Sequence, residues 1–237
     1  MPLFDRYGNN YDQTVQRSVD FSGLEYEFFV TAKTDLLKRL VLARHGPDGR
    51  PSLLDVGCGI GSMHDHLKDT FGAICGVDVS VASIEAATAR NPHNEYRVMA
   101  GLKVPYESAR FDFVIAVCVF HHVEMAERHK FMIELKRVAR PGGLVCIIEH
   151  NPYNPLTRLA VMRCPFDKDA RLLSSAKTRR LMRSAGLAEI KVQYFLLLPF
   201  RSVLSERLEF ALSAVPLGAQ YASIGERPTV AESELVA

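Results

Sequence analysis

The sequence predicts an α/β fold: a mostly parallel sheet of seven strands, the last one antiparallel, with helices on both faces. Two observations carry this expectation. Short apolar runs alternate with amphipathic stretches from residue 52 to residue 150, and strands that are apolar nearly throughout belong to parallel sheets covered on both sides. A glycine-rich turn follows the first of these runs directly and opens the next helical stretch, a junction that needs backbone without side chains.

The elements follow in order. Residues 1–22 are polar and aromatic, with Tyr7, Tyr11 and Phe21 among Asn, Gln and Asp, and read as an arm. From residue 26 to about 43, Phe29, Leu36, Leu37, Leu40 and Val41 recur at helical spacing. His45-Gly46-Pro47-Asp48-Gly49 stops that helix. Strands are predicted over 52–56, 73–79, 96–99, 111–119 and 143–150, and helices over 62–71, 81–90 and 125–139. Ser80 is a plausible N-cap, and Pro141-Gly142-Gly143 reads as a sharp turn. Residues 152–173 hold three prolines and little periodicity, so they form a long ordered excursion or a lid. A helix over 175–185, a strand over 187–198, a helix over 203–215 and a final antiparallel strand over 218–226 complete the fold. The chain divides into an arm with a lid helix (1–45), a single globular unit (46–228) and a flexible tail (229–237).

Composition excludes several classes. The 237 residues are 48% hydrophobic and 24% charged, with a formal net charge of +2. No strong field favours nucleic acid or an anionic membrane, and no apolar run is long enough to span a bilayer. The first residues lack an apolar signal segment. Five cysteines, an odd number without a CxxC pair, fit a reducing cytoplasm rather than a disulfide framework or a zinc site.

The strongest constellation is Leu53-Leu54-Asp55-Val56-Gly57-Cys58-Gly59-Ile60-Gly61, followed by Gly76-Val77-Asp78-Val79-Ser80. Glycine admits positive φ and lets a ligand approach the backbone. Amides at the helix start face a polar ligand group in this reading. Asp78, at the tip of the second strand, is placed to accept both hydroxyls of a ribose. The glycine spacing is GxGxG rather than the dinucleotide-binding GxGxxG, and no basic residue waits for a pyrophosphate. Asp55 suits a ligand with a cationic amino or sulfonium group.

These segments resemble a known family. "LLDVGCGIGSMHDHL" looks like motif I of the class I S-adenosylmethionine-dependent methyltransferases, which have a Rossmann-like fold, and "GVDVS" resembles their ribose-binding acidic motif. "VPYESARFDFVIAVCVFHHV" and "LKRVARPGGLVCIIEH" resemble their fourth-strand and fifth-strand regions. The likeness covers about residues 50–150. The stretch after the fifth strand resembles a bacterial subgroup with an EHNPxNPxTR segment. The resemblance implies S-adenosyl-L-methionine as cofactor, S-adenosyl-L-homocysteine as product, and Asp55, Gly57, Gly59, Gly61, Asp78, Val79, Ala100, Gly101 and Val117 around the cofactor. Many relatives carry an acid for the adenine amino group where this chain has Ala100.

The candidate catalytic residues are His121, His122 and His150, at the ends of the fourth and fifth strands, where a histidine orients an acceptor or takes its proton. Tyr11, Glu149 and Asn151 are candidate substrate contacts; Tyr7, Tyr11 and Arg17 are placed like the lid that covers the cofactor in many relatives, or else pack over the sheet edge. Adjacent histidines on a strand point to opposite faces, so no metal site is expected. The expected activity is methyl transfer to a small-molecule acceptor by in-line displacement, oxygen being favoured, in a cytoplasmic monomer or homodimer without nucleic-acid partner. A non-catalytic binding protein on the same fold, a nucleic-acid methyltransferase and an NAD-dependent oxidoreductase are the competing readings.

Overall fold

The computed structural model describes residues 11–200 and 202–229. One sheet contains β1 (Ser52–Val56), β2 (Ala73–Asp78), β3 (Glu95–Val98), β4 (Phe111–Val117), β5 (Ala139–His150), β6 (Ala188–Phe195) and β7 (Gln220–Glu226). Their order is β3-β2-β1-β4-β5-β7-β6. Strands β1 to β5 run parallel, and β7 lies antiparallel between β5 and β6. The chain steps outward from β1 to β3 and then returns to the other side of β1. That reversal, between β1 and β4, opens a crevice at the carboxyl ends of the strands.

Successive side chains of a strand go to opposite faces, and two cores result. Leu53, Phe113 and Ile115 pack with Leu36, Leu37 and Val41 of α2 (Tyr26–His45). Leu54, Val56 and Val114 pack on the other face with Phe131 and Leu135 of α5 (Arg128–Val138) and with Met182 of α7 (Ser175–Ser184). Helix α4 (Val81–Arg90) starts where expected, with the Ser80 side chain accepting from the Ser83 amide.

Several expected elements differ. The helix predicted over 62–71 shrinks to α3 (His64–Leu67), and the Thr70 and Phe71 amides both end on the Leu67 carbonyl. Asp69, Thr70 and Gly72 are poor helix formers. The sharp turn expected at Pro141-Gly142-Gly143 is present, with Gly142 at φ +77°, but it lies inside β5, where the partner of β4 jumps from Ala139 to Leu144. The Gly142 amide donates to the Arg227 carbonyl and the Arg227 amide to that of Gly143, which ties this bend to the end of β7. The aperiodic excursion contains a helix, α6 (Pro155–Arg163), and a single 3-10 turn at Pro165–Asp167. Asn154 caps α6 and proline occupies its first position, a start signal that periodicity alone overlooks. The arm folds as α1 (Tyr11–Val19) and a 3-10 turn. Helix α8 (Val203–Ala211) is shorter than expected. Residues 230–237, most of the expected tail, lie outside the described residues. No described helix is long and apolar enough to cross a membrane.

Arg227 ties the end of β7 to α5: its Nη1 donates to the carbonyls of Lys136, Arg137 and Ala139 at 2.7–3.2 Å. A cation on the last carbonyls of a helix satisfies groups that have no partner within it. Arg227→Ala is expected to lower stability by about 1.5–3 kcal/mol, read as a lower urea midpoint with an unchanged m-value. An unchanged midpoint would show the clamp to be ornamental.

Candidate active site

The glycine loop is strapped to the end of β2. The Gly57 and Cys58 amides both donate to the Val77 carbonyl, at 2.7 and 3.0 Å. The Gly59 amide donates to Asp78 Oδ2 at 2.9 Å, and the Ser80 amide to Asp78 Oδ1 at 2.9 Å. Burial pushes the Asp78 carboxyl above its ordinary value, while these amides pull it back. The amides of Gly57, Cys58 and Gly59, ahead of the helix start, are thus taken by protein acceptors.

The three glycines serve different ends. A Cβ on Gly57 would lie 2.5 Å from Val119 Cγ2, and one on Gly61 would lie 2.9 Å from Asn91 Nδ2 and the Tyr96 hydroxyl. Only Gly59, at φ +53°, has open space before it. Behind the loop, Asp55 is buried. Its Oδ2 is 3.1 Å from His64 Nε2, whose Nδ1 is 2.6 Å from the Tyr96 hydroxyl. Among the described residues, Asp55 Oδ1 has no hydrogen-bond partner. His64 is a residue the sequence reading missed, since nothing marks it out within its short helix.

A cavity of about 930 Å³ opens from this loop. It collects most of the expected cofactor residues: Asp55, Gly57, Gly59, Asp78, Val79, Gly101 and Val117. Gly61 and Ala100 do not line it. Gly61 is packed against Asn91 and Tyr96, and Ala100 is exposed with its carbonyl accepting from the Lys103 amide. Gly101, at φ +60°, faces open space. Helix α1 covers one side through Val15 and Ser18. Its Asp12 joins the glycine loop and α4, receiving Ser62 Oγ at 3.1 Å and Arg90 at 2.9 Å. Arg17 is exposed and does not line the cavity. Tyr7 and the Tyr11 side chain lie outside the described residues.

At the ends of β4 and β5 the same cavity meets His121, His122, His150 and Asp167. The two adjacent histidines are not on a strand. Strand β4 ends at Val117, Cys118 takes φ +57°, and the chain turns. Their rings lie 4.1 Å apart and both reach Asp167 Oδ1, from His121 Nε2 at 3.2 Å and His122 Nε2 at 3.3 Å. The strand-alternation argument against shared ligation therefore does not apply. Asp167 comes from the excursion after α6 and carried no expected role.

Glu149 and Asn151 are corrected as substrate contacts. Both are buried and neither lines the cavity. Glu149 Oε1 accepts the Phe120 amide at 2.7 Å and Oε2 pairs with His121 Nδ1 at 2.6 Å. Asn151 donates to the carbonyls of Pro216 and Gly218 and accepts the Tyr153 amide. Strand β5 thus turns these groups toward the scaffold. Burial opposes charge on His121, but the Glu149 charge and the hydrogen bonds His121 makes to Asp167 and Glu149 outweigh it and hold the imidazole well above its ordinary pKa. His121 between two carboxylates is a poor proton acceptor, contrary to expectation. Burial, reinforced by the His121 charge, pushes His150 down to about 4. Burial would raise Asp167, yet hydrogen bonds from His121 and His122 hold it far below the ordinary carboxylate range.

Two further residues at the cavity were missed. Gln220 is buried, its Oε1 unpartnered among the described residues, and its Nε2 lies 3.6 Å from Cys118 Sγ. A non-glycine residue at positive φ stores backbone strain of the kind found at functional sites.

Comparison with known proteins identifies the central segment. Residues 54–147 match the family model described as a methyltransferase domain. Among curated proteins, the chain is 34% identical over 104 residues to the chloroplastic tocopherol O-methyltransferase of Arabidopsis thaliana, covering 40% of this chain and 29% of that one. It is 30% identical over 112 residues to ajmaline N-methyltransferase of Rauvolfia serpentina, covering 44% and 38%. The chain thus spans well under half the length of these two relatives. Among solved structures, a possible histamine N-methyltransferase of Thermotoga maritima shares the fold at a TM-score of 0.66 and 19% identity, over 94% of this chain and 97% of that one.

Asn151→Ala tests its reassignment. Three side-chain hydrogen bonds, one of them fully buried, are lost, and the variant is expected to be destabilised by about 1–3 kcal/mol, measured by urea unfolding. Full stability would return Asn151 to the list of ligand contacts.

Proposed function

We propose that this chain, whose residues 54–147 carry a methyltransferase domain, is a class I S-adenosylmethionine-dependent methyltransferase acting on a small-molecule acceptor, with oxygen favoured as the acceptor atom. The observation that carries this is one cavity joining two kinds of wall: Gly59, Asp78 and Asp55 on one side, His122, His150 and Asp167 on another. We assign the chain to the subgroup marked by the segment from Glu149 to Arg158.

The residues fit the cofactor. The unpartnered Asp55 Oδ1 suits a cationic amino group, and Asp78 beside Gly59 suits ribose hydroxyls. The open space at Gly59 admits a nucleoside where any side chain would intrude. The captured amides argue against a dinucleotide, because a pyrophosphate needs free amides at the loop. With Ala100 exposed, we assign the adenine to the neighbourhood of Met99, Gly101 and Leu102, which line the cavity.

S-adenosylmethionine, when bound, supplies a methyl group on a sulfonium whose departure as a neutral thioether needs no acid. What remains for the protein is to align the acceptor and exclude water. Alignment contributes about 7–11 kcal/mol, more than the about 10²–10⁴-fold expected of a general base. His122 is the histidine we assign to the acceptor proton. It is partly exposed, lines the cavity, and is oriented by Asp167, whereas both ring nitrogens of His121 are engaged by carboxylates. Apolar side chains such as Phe28, Phe29, Leu156, Phe166 and Leu197 complete the wall, so the acceptor has an apolar body and a hydroxyl. The name of the tocopherol O-methyltransferase relative supports an acceptor of that kind.

Asp78→Ala should weaken S-adenosylhomocysteine binding at least roughly tenfold in calorimetry, given about 1.5–3 kcal/mol for each hydrogen bond to a charged acceptor. Unchanged affinity would remove the cradle from the site. His122→Ala should lower kcat by about 10²–10⁴-fold while S-adenosylhomocysteine affinity stays within twofold of about its starting value. Equal loss of both would make His122 a scaffold residue.

A further inference from the structure

The cluster at the ends of β4 and β5 has more donors than a methyl-transfer site requires. His121, His150 and Asp167 each offer one atom, and these atoms all lie within 4.8 Å of one another. They come from three separate segments: the turn after β4, the last residue of β5 and the 3-10 turn after α6. All three line the cavity, so a group held among them would keep positions open toward it.

The spacing suits an ion. Nitrogen and oxygen donors sit about 2.0–2.2 Å from a zinc-sized cation, which places neighbouring donors about 3–3.5 Å apart around it. His121 Nε2 is 3.2 Å from Asp167 Oδ1, and His122 Nε2 is 3.3 Å from the same oxygen. The second observation lies behind the cluster. His121 gives its other ring nitrogen to Glu149 at 2.6 Å, and Glu149 is fully buried and fixed by the Phe120 amide. A carboxylate on the far nitrogen fixes the ring and aims Nε2 at the cavity, as it does for metal-bound histidines generally.

We propose that His121, His150 and Asp167 bind a divalent first-row transition metal, with Glu149 as the positioning residue behind His121 and His122 beside the ion. Two imidazoles and one carboxylate suit Zn²⁺, Co²⁺, Mn²⁺ or Fe²⁺ better than Mg²⁺ or Ca²⁺. The open positions toward the cavity would take an oxygen of the acceptor. That last role rests on the methyl-transfer reading; the binding of the metal does not.

The test uses the whole chain, stripped with a chelator and dialysed, without cofactor or acceptor. Calorimetric titration with Zn²⁺ should saturate at a single equivalent and raise the unfolding temperature. Co²⁺ should give the ligand-field absorption of a nitrogen- and oxygen-bound ion, and Mg²⁺ should show no saturable heat. His150→Ala and Asp167→Asn should lose the Zn²⁺ signal, and Glu149→Gln should weaken it by about 10–100-fold. His66→Ala, a surface histidine paired with Glu27, should leave it unchanged. Absence of saturable Zn²⁺ binding by the unsubstituted chain overturns the proposal. So does binding that survives both His150→Ala and Asp167→Asn. Should those variants fail to fold, the Zn²⁺ stoichiometry and Co²⁺ spectrum of the unsubstituted chain decide alone. S-adenosylhomocysteine binding, measured on the same stripped protein, tells failure of the metal site from failure of the methyl-donor reading.

Discussion

Three successive amides, of Gly57, Cys58 and Gly59, are held by the last two residues of β2, Val77 and Asp78. The rest of the site depends on that strap. It draws the first loop against the second strand, at the point where the sheet reverses its order. Gly57 then touches Val119, just beyond β4, so the ends of three strands are fixed in one place. Neutral hydrogen bonds of this kind contribute about 0.5–1.5 kcal/mol each, and the one to the Asp78 carboxylate more. The larger consequence is chemical. A loop with three amides already taken has few left for an anion, and what it offers a ligand is bare space at Gly59 beside a carboxylate.

Charge around the cavity follows from the same economy. Asp55, Asp78 and Asp167 all line it, and Glu149 stands directly behind His121. Buried carboxylates are costly unless something answers them. His121 answers two and His64 approaches a third. The chain as a whole is nearly neutral, at +2, so composition conceals an interior that favours cations. A sulfonium or an amino group is at home there, and a phosphate is not.

Much of the fold was legible in the sequence because its signals are local. Apolar runs marked the seven strands, and the GxGxG spacing with Asp78 marked the cradle. What was not legible depends on tertiary direction. Glu149 and Asn151 stand in the strand-end position where ligand residues stand, and one letter does not say whether a side chain turns into the crevice or back to the scaffold. Here the Phe120 amide and the carbonyls of Pro216 and Gly218, all distant in sequence, decide it. The alternation rule failed for His121 and His122 because the chain leaves the strand at Cys118, in a conformation few non-glycine residues adopt. Asp167 was invisible for another reason: a 3-10 turn after a short capped helix has no period to detect.

The two carboxylates flanking His121 are not equivalent, and the difference assigns their roles. Glu149 belongs to a central strand, is wholly buried and has both oxygens engaged by protein donors. Asp167 belongs to the excursion, lines the cavity and gathers two imidazoles on a single oxygen. Glu149 therefore fixes the orientation of His121, while Asp167 fixes how the cluster meets whatever enters. A change at Glu149 alters the direction of one ring. A change at Asp167 alters the distance between three side chains at once. The sheet supplies the rigid half of this arrangement and the irregular segment after α6 the adjustable half, which is how one common scaffold comes to present a cluster of its own.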